Sequence, residues 1–178
     1  MQKIRENLNF QTYFGIGFVL VLGTLSHFFF DWSGEIRLVG IFAAVNESTW
    51  EHLKLLFFPA LLFWVLEWIF GKKKPNLLWS VFLGLFAGTL SIVVLFYTYS
   101  GVLGKNLAPI DILTFVVGVL VAFFVKLYAQ SGTPTARKRL AGGILLAVLL
   151  LCYLLFTAFP PHIGLFLDPV TGTYGFPV

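Results

Sequence analysis

At 178 residues, with 58% hydrophobic and only 11% charged side chains and a mean hydropathy of +0.90, the chain has too little charge to coat a water-facing surface. Each membrane crossing takes about 20 residues, so this length fits one compact bundle of a few spans and leaves no room for a separate soluble domain. A net charge of +4 would suggest nucleic acid in a soluble protein, but the basic residues gather at the ends of apolar runs, where they set orientation, and nucleic-acid binding is not expected.

In chain order, Lys3 and Arg5 precede an apolar run over 13–30. It is longer than a secretory core and has no small-x-small site before Ser26-His27, so it reads as an uncleaved first span. A loop over 31–52 follows, and its apolar part from Leu38 to Val45 favours membrane contact as an interfacial helix or a re-entrant segment. Further spans are predicted over 53–70, 77–97, 110–128 and 140–159, and 160–178 forms a tail. No run alternates with a period of two, so helices are expected and not a barrel. The predicted fold is an all-α membrane protein, a single domain built as a five-helix transmembrane bundle. Cys152, the lone cysteine, lies within an apolar run and has no partner for a disulfide.

Lysine and arginine alternate along the chain. Lys3 and Arg5, then Lys72, Lys73 and Lys74, then Arg137, Lys138 and Arg139 mark one side, which the positive-inside rule makes cytoplasmic. The N-terminus is then inside and the tail outside. That orientation sorts the remaining polar residues. His27, His52 and His162 all fall at outer ends of spans, with Asp31, Glu35, Glu47, Glu51, Asp111 and Asp168 beside them, while Glu6 and Glu67 stay inside.

His27 and Asp31 are four residues apart and share a face if the first helix continues through Trp32. They would supply half a metal site, or an imidazole oriented by a carboxylate, or merely hydrated interfacial groups. Ser48 and Glu51 read as a capping box at the start of the second span. That leaves Glu47, His52 and Lys54 without a structural role and makes them functional candidates, with Asn46, Ser48 and Asp168 as further outer-face candidates. In the tail, Asp168-Pro169 with Gly172 predicts a turn or short hairpin, and the flanking apolar stretches predict that the tail folds back over the outer mouth and brings His162 toward the first two spans. Elsewhere, Asp111 offsets a helix N-terminus, Glu67 and Lys126 pair or snorkel, Gly84 and Gly88 permit close helix approach, and all five tryptophans suit the interfaces.

The runs Ser26-His27 with Trp32-Ser33-Gly34, Asn46-Glu47-Ser48-x-Trp50-Glu51-His52-x-Lys54, and Pro161-His162 with Phe166-x-Asp168-Pro169-x-Thr171-Gly172-x-Tyr174-Gly175 resemble a family of small bacterial multi-pass membrane proteins of unknown function. The resemblance covers nearly the whole chain and implies a bacterial inner-membrane protein without an established activity. Gly164 departs from it, standing where the family pattern suggests proline. A looser, chemical similarity is to the alkaline ceramidase and adiponectin-receptor superfamily, in which histidines from separate membrane helices hold zinc. This chain has five predicted spans instead of seven and lacks a His-x-x-x-His pair on the last one.

Two classes of function fit. In the first, His27, His52 and His162 hold a divalent metal, zinc being the natural choice, and Asp31, Glu47 or Glu51 serves as a further ligand or general base for hydrolysis of a lipid or lipid-linked substrate. In the second, the same residues form a non-catalytic binding or transport site, or a polar cap in a structural accessory subunit. Membrane lipids are partners in either case.

Overall fold

The computed structural model describes residues 10–71, 74 and 76–177. Lys3, Arg5, Glu6, Lys72 and Lys73 lie outside these. The regular secondary structure of the described residues is helical, apart from one isolated antiparallel bridge between Leu167 and Tyr174. The helices are α1 (Phe10–Ser26), the short α2 (Phe29–Trp32) and α3 (Arg37–Gly40), α4 (Thr49–Phe70), α5 (Leu77–Leu103), α6 (Ala108–Gln130) and α7 (Ala136–Phe156). Helices α4 to α7 are each long and apolar enough to cross a membrane, and α1 is a shorter apolar helix of 17 residues. The protein is therefore a multi-pass helical membrane protein.

The long helices differ from the predicted spans at their ends, since side chains and glycines, not hydropathy, decide where a helix stops. Helix α5 runs on to Leu103 and stops where Gly104 turns left-handed at φ +69°. Helix α4 starts at Thr49 because the Ser48 side chain accepts the Glu51 N–H. Only half of the expected capping box forms. The Asn46 Oδ1 takes the Ser48 N–H at 2.9 Å, which frees the Glu51 carboxylate for a buried role.

The first span departs most from expectation. Helix α1 ends at Ser26, whose hydroxyl donates to the Gly23 carbonyl, and the chain tightens so that the Phe28 N–H reaches Leu25, three residues back. Continuous helix through Trp32 is thus corrected to a break at His27-Phe28, with α2 as a separate turn. His27 and Asp31 do not share one helical face.

Helix α4 is the axis of the core, burying Leu53, Leu56, Phe57, Ala60, Phe63 and Trp64. Pro59 lacks the N–H that would bond the Leu55 carbonyl. Helix α1 makes its close approach there, with Gly23 against the Leu55 oxygen, where even a methyl group would clash. Gly84 and Gly88 of α5 lie against Ala122 and Gly118 of α6, which identifies the partner of the small-residue pair. Two tryptophans correct the interfacial expectation. Trp64 is 1% exposed and Trp50 8%, the latter stacked on Tyr153 at 4.6 Å and against Phe166, so both are core residues. Trp32 and Trp68 remain exposed.

The tail does fold back. The Trp50 N–H bonds Leu165, Asn46 Nδ2 donates to the Gly175 carbonyl at 2.7 Å, and Phe176 packs on Phe30. The predicted turn closes with Asp168, which accepts from the Val170 N–H and the Thr171 hydroxyl.

Candidate metal centre

Four residues after the Ser48 cap, the first turn of α4 presents His52. Its Nδ1 lies 2.9 Å from the Ser48 carbonyl. A carbonyl only accepts, so Nδ1 carries the proton and Nε2 is left as the open nitrogen. His27, one residue beyond α1, brings its Nε2 to 3.2 Å from that atom. Glu47, on the loop before the cap, sets one carboxylate oxygen 3.6 Å from His27 Nε2 and the other 3.5 Å from His52 Nε2. These three residues are the group among the described residues whose ligand atoms converge, all within 4.8 Å of one another.

The electrostatics fit an approach of cation to carboxylate. The neighbouring Glu47 carboxylate lifts the His27 imidazole above its usual range against the opposing effect of burial, and Asp31 adds to it through charge. In return, His27 holds the Glu47 carboxyl below its ordinary value. The side chains of His27, His52 and Glu47 are 29%, 34% and 48% exposed, so the cluster is open to a ligand. Beside it lie the exposed aromatic rings of Phe28, in contact with His27, and of Trp32, stacked on Phe28. An amphipathic molecule at the membrane surface would meet the cluster and this apolar rim together.

Other residues singled out from the sequence sit elsewhere. His162 is exposed and stacked on Tyr174 at 4.5 Å, and is not part of the converging group. Asp31 is exposed on α2, and its backbone carbonyl accepts from Gly34. Glu51 and Lys54 form an ion pair and are 2% and 0% exposed. Lys54 also donates to the Gly40 carbonyl at 2.7 Å and to Thr157 at 2.9 Å, while Glu51 accepts from the Val45 N–H and from the Thr157 hydroxyl. Every polar atom there is engaged within the protein. The pair locks the loop between α2 and α4 to the end of α7. Thr157 completes it, and nothing in its sequence context distinguishes this threonine from others near a helix end. Asp168 shapes the tail hairpin, and Asn46 and Ser48 order the loop that carries Glu47.

A second buried charge cluster lies at the opposite end of α4, where Glu67 pairs with Lys126 of α6 and with Lys74. It realises the pairing alternative for Glu67 and Lys126. Asp111 accepts from Tyr99 and Asn106, which joins the ends of α5 and α6.

In comparison with known proteins, the model of a family described as a family of unknown function, DUF6512, matches residues 1–176. No curated protein and no solved structure matches the chain.

Proposed function

The chain belongs to this family of unknown function, and on that premise we propose that it is a zinc-dependent membrane hydrolase, with His27, His52 and Glu47 as metal ligands and a lipid or lipid-linked molecule as substrate. One observation carries the reading. Ligand atoms about 2.1 Å from a tetrahedral zinc lie about 3.4 Å from each other. The two imidazole nitrogens lie 3.2 Å apart, and each is 3.5–3.6 Å from a different oxygen of Glu47, so holding an ion requires the carboxylate to turn one oxygen toward both nitrogens. The Ser48 carbonyl orients His52 as the outer partner of a metal-bound histidine does.

Three protein ligands leave a fourth position for water, whose pKa a zinc ion brings to about 7. Asp31 is the acid outside the ligand set that acts on His27 electrostatically, which makes it the candidate to accept the water proton. The exposed Phe28, in ring contact with His27, and Trp32 stacked on it favour a substrate with a hydrocarbon portion. The alternation of basic residues favours an extracytoplasmic location for this face, with a cytoplasmic N-terminus.

Elemental analysis of the detergent-purified protein tests the proposal. Near-stoichiometric zinc is expected in the wild type and in His162→Ala, with loss in His27→Ala, His52→Ala and Glu47→Gln while each stays folded. No bound metal after zinc supplementation would overturn it and leave the cluster as a polar cap or a binding site for another ligand. Lipid hydrolysis with chelator controls then checks the chemistry.

A further inference from the structure

The end of the bundle away from the histidines carries a second feature, independent of the metal proposal. A groove of about 490 Å³ opens between the start of α5 and the first turns of α7. Two adjacent glycines shape it. A Cβ on Gly142 would strike the Trp79 backbone N at 2.5 Å, so this residue lets α7 press against α5. One position round the helix, Gly143 has only the tip of Leu78 near it, 3.5 Å from where its Cβ would be, and the missing side chain leaves the groove open. Leu140, Ile144 and Ala147 continue the lining along α7, and Arg139 stands at the mouth.

The charge at this end is unbalanced. Lys74, Lys126, Arg137, Lys138 and Arg139 share it with one described acid, Glu67, and that carboxylate is already taken by Lys126 and Lys74. Lys138 donates to the Thr133 carbonyl at 3.1 Å. The Arg139 guanidinium has no ion-pair or hydrogen-bond partner among the described residues, its backbone N–H alone going to the Thr135 carbonyl. The first turn of α7 adds the partial positive charge of its free N–H groups on the same side.

We propose that this groove binds an anionic phospholipid, its phosphate on Arg139 and one acyl chain along Leu140, Ile144 and Ala147. A guanidinium unpaired among the described residues and lining an apolar surface groove between two membrane-crossing helices matches a molecule with a negative head and a hydrocarbon tail. A free phosphate would meet only the exposed charge. A second copy of the chain would bring its own arginines against these.

The test uses the full chain in neutral detergent, with phosphatidylglycerol or phosphatidylcholine of identical acyl chains titrated in and bound lipid read by native mass spectrometry. The wild type is expected to retain the anionic lipid about fivefold better, the factor one basic side chain near an anionic surface supplies. Arg139→Gln should abolish that preference and Arg137→Gln should keep it. Gly143→Leu should reduce retention of both lipids, with Gly143→Ala as the milder variant if leucine prevents folding. Equal binding of the two lipids, or a preference that survives Arg139→Gln, overturns the proposal. Full displacement by millimolar inorganic phosphate would reveal a simple anion site and overturn it equally.

Discussion

His52 shows how one side chain acquires a defined chemical role. Its backbone N–H and its Nδ1 both go to the Ser48 carbonyl, so the helix start sets the ring orientation and the tautomer. Ser48 itself caps the helix, and Ser48→Ala should cost about 1 kcal/mol of stability with zinc content retained, because the carbonyl survives the substitution. A thermal melt beside elemental analysis checks both halves. Glu51 and Lys54 behave differently. Removing one member of a buried pair strands the other charge, so Glu51→Gln or Lys54→Met should each destabilise by about 3–5 kcal/mol. The double variant should lose much less than the sum, a coupling that a double-mutant cycle in denaturant measures. If Glu51 serves as a catalytic base, its loss removes activity in molecules that remain folded; if its role is the buried pair, its loss shows first as lower stability.

Between elements, the separation of the two histidines depends on how α1 meets α4. Gly23 lies against the Leu55 carbonyl that Pro59 leaves without its helical donor, only four residues before His27. Gly23→Ala should push the helices apart, lower stability by about 1–3 kcal/mol as overpacking does, and weaken zinc binding although it touches no ligand. Gly17 of the same helix faces open space, and Gly17→Ala should leave zinc binding unchanged and stability equal or slightly higher. Equilibrium dialysis against zinc separates the two. If Gly23→Ala binds zinc like the wild type, α1 docking does not set the ligand geometry. The tail is the other positioning element. Asn46 joins Gly175 to the loop carrying Glu47, so Asn46→Ala should speed proteolysis of the tail and loosen Glu47 together.

For the molecule as a whole, the sign of the pH dependence follows from the His27–Glu47 pair. Glu47 titrates lower in the folded protein, so its contribution to stability is present above its ordinary pKa and lost as pH falls through the lowered one. His27 titrates higher, so its contribution is present below its ordinary pKa and lost as pH rises through the raised one. The metal-free protein should therefore gain most from the pair between those two limits. The gain is under about 1 kcal/mol, because both groups are partly exposed. Zinc reverses the preference at the upper limit. Binding needs neutral imidazoles, so affinity should keep rising with pH beyond the ordinary histidine pKa until His27 has lost its proton, which competition with a chromogenic chelator measures. A chelator should correspondingly lower the melting temperature of the wild type and leave that of His52→Ala unchanged.

The amino-acid order alone determined that the chain is a helical membrane bundle, because hydropathy acts over whole segments and any 20 apolar residues that leave water must satisfy their own backbone. It also determined the turn at Asp168-Pro169, where local backbone preference suffices, and the helix start at Ser48, where a side chain answers an N–H three residues on. Only the tertiary structure decided which polar residues meet. His27 and His52 are 25 residues apart and touch because α1 packs on α4, whereas Glu51, adjacent to His52, turns about 100° away into the core and finds Lys54 and Thr157. His162 has the same chemistry as the other two histidines, yet the tail places it on Tyr174. Residue type and distance from a span end are identical signals for a ligand and for a stacked ring, and they separate only when helix packing sets three-dimensional distance.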